Sequence, residues 1–236
     1  MNTLTIPERI DKATSEVPLL NLEKKEALAL IDTNPKSRSQ AAGTMDLVGV
    51  IAGLKPVAFL HTQEINPALV SAVGLNWELI EYGMFAASRD EHLSLELKEV
   101  FLSHRNNEGN LTDDGHRIIG KLLGYPESAT DYFVDRLPTV FTPVELPMVK
   151  SRALEGTSTD FFHQFVLSPG NHQSEIDDYI KPLETAVREL TPNTYKYIET
   201  ENRRDQVAKK IGRFLRPLIG LKPKEVNPGI KTVYVD

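Results

Sequence analysis

The 236-residue chain contains no cysteine. That one absence removes disulfides, thiolate metal sites and cysteine nucleophiles together. Long apolar runs are missing as well, and no stretch approaches the roughly 20 consecutive apolar residues that a membrane-spanning helix requires. The opening MNTLTIPERIDKATSEV mixes acids and bases without an apolar block, so it does not read as a signal peptide. Together these absences lead to the expectation of a soluble, intracellular, cytoplasmic protein.

Familiar catalytic patterns are absent too. The chain has no phosphate loop of the Gly-x4-Gly-Lys-Ser/Thr type, no Gly-x-Gly-x-x-Gly, no His-Glu-x-x-His and no Gly-x-Ser-x-Gly. Any catalytic site has to be assembled in three dimensions from isolated residues, and the sequence assigns no cofactor.

Positive charge is scarce over most of the chain, since residues 1–202 carry 18 basic against 30 acidic side chains. The balance then reverses. Between Arg203 and Lys224, eight bases (Arg203, Arg204, Lys209, Lys210, Arg213, Arg216, Lys222 and Lys224) stand against Asp205 alone. Val207, Ile211, Phe214, Leu215 and Leu218 recur among them at helical spacing, so 203–218 reads as a basic amphipathic helix. Helices of this kind meet nucleic-acid phosphates, anionic membrane surfaces or acidic proteins. The leading expectation is therefore a non-catalytic binding protein that contacts an anionic partner through Arg203, Arg204, Lys209, Lys210, Arg213 and Arg216. In the competing arrangement the same charges pair with the protein's own acidic body.

What the chain does contain is ordinary globular material, 40% hydrophobic and 25% charged. Its pattern predicts an α+β fold, predominantly helical, with a small sheet or extended strap from residues 138–167. One domain over 1–236 is expected, with a lobe boundary near 137–150. Helices are predicted near 21–32, 39–54, 67–73, 77–88, 90–102, 112–123, 127–136 and 174–190, with a last one opening at the Thr191-Pro192 cap. Gly53-Leu54-Lys55-Pro56 is read as a helix stop, and the same four letters return at 220–223. Val57 to Thr62 is either a short strand or an extended link. Pro138 to Lys150 holds three prolines and suits an edge strand or strap. Asp160 to Leu167 reads as a strand with Phe161, His163, Phe165 and Leu167 on one face. The closing KTVYVD adds a short edge strand.

Ligand-type side chains are densest from His104 to Arg136. Thr112 is the expected N-cap of a helix with Asp113 and Asp114 in its first turn, and Gly124-Tyr125-Pro126 ends that helix. Set against a calcium-binding loop with Gly109 at its sixth position, residues 104–115 place Asn106 third and Glu108 fifth. The first position becomes His104 and the twelfth Gly115, so the initial Asp and the closing bidentate Glu are missing, and a plain helix-loop-helix connection is expected. A second functional reading draws on the same region: a hydrolytic or metal-assisted enzyme whose site is built from His104, Asp114, His116 and His163. His163 qualifies because three large apolar neighbours on its strand face would shift an imidazole's pKa.

Overall fold

The computed structural model describes residues 23–107, 109–136, 148–151, 162, 167–168, 170–218 and 232–235, with the backbone alone at 136, 148–151, 209–218 and 232–235. A short helix α1 (Lys24–Ile31) leads into α2 (Arg38–Ala52), around which the rest is arranged. The Ser37 hydroxyl accepts from the Gln40 amide and starts α2; Gly53, at φ 77°, ends it in the left-handed conformation that glycine adopts without a Cβ penalty. Between these ends the helix carries little charge and is apolar on more than one side. Leu47 and Val50 pack into one core, while Ala41, Met45 and Val48 pack into another.

The first core belongs to a three-stranded antiparallel sheet of β1 (Val57–His61), β2 (Asn76–Glu81) and β3 (Met84–Ser88), in the order β1-β3-β2. Alternation sorts its side chains between two faces. Ala58, Leu60, Phe85 and Ala87 meet α1, α2 and α3 (Pro67–Ala72), whereas Val57, Ile80 and Ala86 meet α4 (Glu91–Ser103) and α5 (Asp113–Leu122). Helix α6 (Glu127–Arg136) lies against α5 so closely that a Cβ on Gly120 would come 2.6 Å from the Thr130 hydroxyl.

The second core joins α2 to the C-terminal helices. These are α7 (His172–Glu175), a π-helical turn (Ile176–Ile180), α8 (Lys181–Leu190) and the long α9 (Pro192–Leu218). Ile176, Ile180, Leu183, Val187 and Ile198 are buried there together with Phe162 and Leu167. Two further strands, β4 (Met148–Ser151) and β5 (Thr232–Val235), pair in parallel.

The fold is α+β and mainly helical, as its pattern predicts, but the sheet comes from a different place. Residues 77–88, expected to be helical, form the β2–β3 hairpin. Trp77 and Leu79 point to the α2 side and Ile80 to the α4 side, a period of two, and Tyr82-Gly83 closes the turn with both φ angles positive. The Trp77 indole N–H donates to the Ser71 hydroxyl at 3.0 Å, tying the strand to α3. The ambiguous 57–62 segment is strand β1. Of the 138–167 strap, β4 is described, and the expected C-terminal strand is its partner β5. Within 160–167, Phe162 is in a 3₁₀ turn, not an extended strand, and both Phe162 and Leu167 are buried in the same core. The rest of that segment, His163 included, lies outside the described residues, as does the repeat at 220–223. No described helix is long and apolar enough to cross a membrane.

Thr191 holds the N-cap position of α9 with Pro192 first in the helix, its carbonyl accepting from the Tyr195 amide at 3.0 Å, but its hydroxyl donates to the Val187 carbonyl at 3.1 Å. Asp32, 5% exposed at the end of α1, supplies the side-chain cap of α9 instead: its two carboxylate oxygens accept from the Asn193 and Thr194 amides at 3.1 and 2.8 Å.

Candidate functional site

The predicted histidine site is partly visible. His104 ends α4, and its carbonyl accepts from the Thr112 amide at 2.8 Å. The loop between them is a tight self-bonded connection: Arg105 bridges Leu111, and the Asn106 side-chain oxygen accepts from the Asn110 amide at 3.0 Å. Asn106, one of the two oxygen donors that the calcium comparison placed, is thus committed to its own loop. Thr112 caps α5 as expected, accepting from the Gly115 amide at 3.1 Å. Gly115 packs directly on His104, because a Cβ at that position would lie 2.8 Å from the His104 Cβ.

His104 and the first turn of α5 are therefore adjacent, yet the side chains diverge. The His104 ring lies 3.0 Å from the Ser103 hydroxyl through Nδ1. His116 turns to α6 and meets Phe133 edge-on, with ring centroids 5.6 Å apart. Burial lowers its pKa, against the raising effect of the Asp113 carboxylate. The Asp114 side chain is 85% exposed and, among the described residues, pairs with Arg117 alone, at 3.8 Å. No hydrogen bond joins His104, Asp114 and His116 among the described residues, and no group of three His, Asp or Glu side chains there is placed to hold a metal ion.

At the C-terminal helix, Arg203 and Arg204 are both exposed. Arg204 pairs with Glu201, one turn earlier on the same helix, at 2.7 Å. Among the described residues, the ion pair from this stretch to the body has the opposite sense to the competing arrangement: Asp205, its lone acid, is taken by Arg38 of α2. Val207, the first residue of the predicted apolar stripe, is 54% exposed. Lys209, Lys210, Arg213 and Arg216 continue on the same helix, and their side chains lie outside the described residues.

A third place was not singled out from sequence. The two helix stops, Gly53-Leu54-Lys55-Pro56 and Gly124-Tyr125-Pro126, meet: a Cβ on Gly124, itself at φ 73°, would come 2.9 Å from the Pro56 ring. Lys55 is 7% exposed, is paired with Asp46 and sits over the Tyr125 ring at 5.3 Å from its centroid. Its stem fits because residue 49 is glycine, where a Cβ would lie 2.7 Å from the Lys55 chain. Arg89 donates to the Ile51 carbonyl at the end of α2. Tyr179, on the π turn, is 41% exposed and faces the same space. Between these groups opens a cleft of about 490 Å³. Burial, with the nearby Asp46 carboxylate, raises the pKa of Tyr125 and keeps its hydroxyl protonated. Comparison with known protein families, with curated proteins and with solved structures finds no match.

Proposed function

We propose that this protein is a non-catalytic binding protein whose basic helix α9 contacts an anionic partner. The observation that carries the reading is the combination at its described end: Arg203, Arg204 and the apolar Val207 all face solvent on one continuous helix. In the competing arrangement these cations would meet acids of the body. Arg204 instead meets an acid of its own helix, and Arg203 forms no ion pair among the described residues. Of the three anionic partners, a membrane surface uses both components, because the apolar side enters the interface while the bases face lipid headgroups. A nucleic acid or an acidic protein uses the charge alone.

The test is co-sedimentation with neutral and with phosphatidylserine-containing vesicles over a salt series, beside filter binding to RNA and DNA. Binding to the anionic vesicles is expected to weaken steeply with salt. The Arg203→Ala/Arg204→Ala variant should bind about 30-fold more weakly, from about 1 kcal/mol per basic side chain near an anionic surface. Val207→Ser should weaken vesicle binding further while leaving any RNA binding unchanged. Salt-sensitive binding to RNA and not to vesicles would move the assignment to nucleic acid, and no salt-sensitive binding to any of them would remove it.

A further inference from the structure

From the cleft between the two helix stops we infer that the protein has a second site, which takes a small aromatic anion. Three independent features point there. The first is size: about 490 Å³ lies within the range of small-ligand sites, and a small apolar cavity of about 20 Å³ that shares Leu54, Tyr125 and Tyr179 with it is walled by Leu123, Phe162 and Leu183. The second is the π turn at 176–180, which presents the 41% exposed Tyr179 to the cleft. Such turns insert one residue into a helix at a cost in regular hydrogen bonding and concentrate at functional sites. The third is charge. The Lys55 ammonium is already matched by Asp46, whereas the exposed Arg89 guanidinium forms no ion pair with a carboxylate among the described residues. It donates to the Ile51 carbonyl through Nη2, and a guanidinium has further N–H donors to offer.

The wall chemistry defines the ligand. Tyr125 and Tyr179 supply aromatic surface, Leu54, 38% exposed, and Leu93 add aliphatic surface, and Arg89 supplies a planar fork that suits a carboxylate or phosphate. Asp90 also borders the cleft, but its carboxylate is engaged by the His92 amide at 3.0 Å as the cap of α4. A ring whose acidic group reaches Arg89 therefore matches the cleft, with the Asp90 charge opposed by the positive end of α4.

Benzoate is the probe, with benzyl alcohol as the ring without charge and acetate as the charge without a ring. In amide-resolved NMR, benzoate should shift Gly53, Leu54 and Gly124 saturably, with a dissociation constant on the order of 1 mM for so small a ligand. Benzyl alcohol should bind several-fold more weakly at the same amides, and acetate should not saturate. Arg89→Gln should abolish the preference for benzoate over benzyl alcohol, and Tyr179→Ala should weaken both; the two side chains are surface-exposed, so the amide spectrum should otherwise persist. Arg203→Ala/Arg204→Ala should leave benzoate binding unchanged, which separates this site from α9. Shifts that do not saturate, that map elsewhere or that survive both cleft substitutions would overturn the assignment.

Discussion

His116 and Glu175 are two ionisable side chains whose sequence positions did not disclose their surroundings. Glu175 is a first-turn acid of α7, yet it is 2% exposed and accepts from the Ser128 hydroxyl, the Ser168 hydroxyl and the Ser168 amide at 2.5, 2.6 and 2.8 Å. Three neutral donors satisfy its oxygens, and they come from α6 and from a segment seven residues upstream, which no local pattern announces. His116 is set by burial against Phe133. Because its folded pKa lies below the ordinary 6.5, the unfolded chain binds more protons between the two values, so this residue costs stability as pH falls through that interval. An NMR titration of the His116 ring should show a midpoint below 6.5, and His116→Gln should flatten the decline in Tm between about pH 7 and pH 5. A midpoint at or above 6.5 would contradict the burial argument.

Among the elements, the hairpin tip is the least comfortable. Tyr82 has φ 31° and Gly83 φ 77°, and Tyr82 is 82% exposed. Positive φ at both central residues is what a tight hairpin turn demands, and Asn-Gly meets it far better than Tyr-Gly. Tyr82→Asn should therefore stabilise the protein by about 1 kcal/mol and raise Tm by about 2–4 °C. A lower Tm on thermal unfolding would show that the tyrosine ring holds the turn in some other way. The same turn is where the helical expectation for 77–88 fails. Leu79, Ile80 and Phe85 suit a helix as well as a strand, and only the weight given to Gly83 separates the two. Helices with a capping residue and a glycine stop, such as α2 and α5, were legible because both ends are written locally. The side-chain cap on α9 was not, since its carboxylate arrives from α1. Nor was the cleft, whose groups come from four separate stretches of chain; its local trace is the pair of Gly-to-Pro helix stops.

Across the whole molecule, Asp32 ties the end of α1 to the start of α9. It is buried, and it satisfies two amides at the positive end of α9. Asp32→Ala should cost about 1–3 kcal/mol, read as a lower urea midpoint, with Asp32→Asn losing less because one acceptor oxygen remains. A midpoint shift equivalent to less than about 0.5 kcal/mol would mean that the cap is dispensable.

Helix α2 gives one set of side chains to the sheet and another to the C-terminal helices, and the cleft opens at the end where both sets finish. Arg89 enters it directly after β3, and Tyr179 enters it from the π turn. An occupant touching both would bind best at one relative placement of the two halves, so filling the space and clamping those halves together would be a single thermodynamic event, each favouring the other to the same degree.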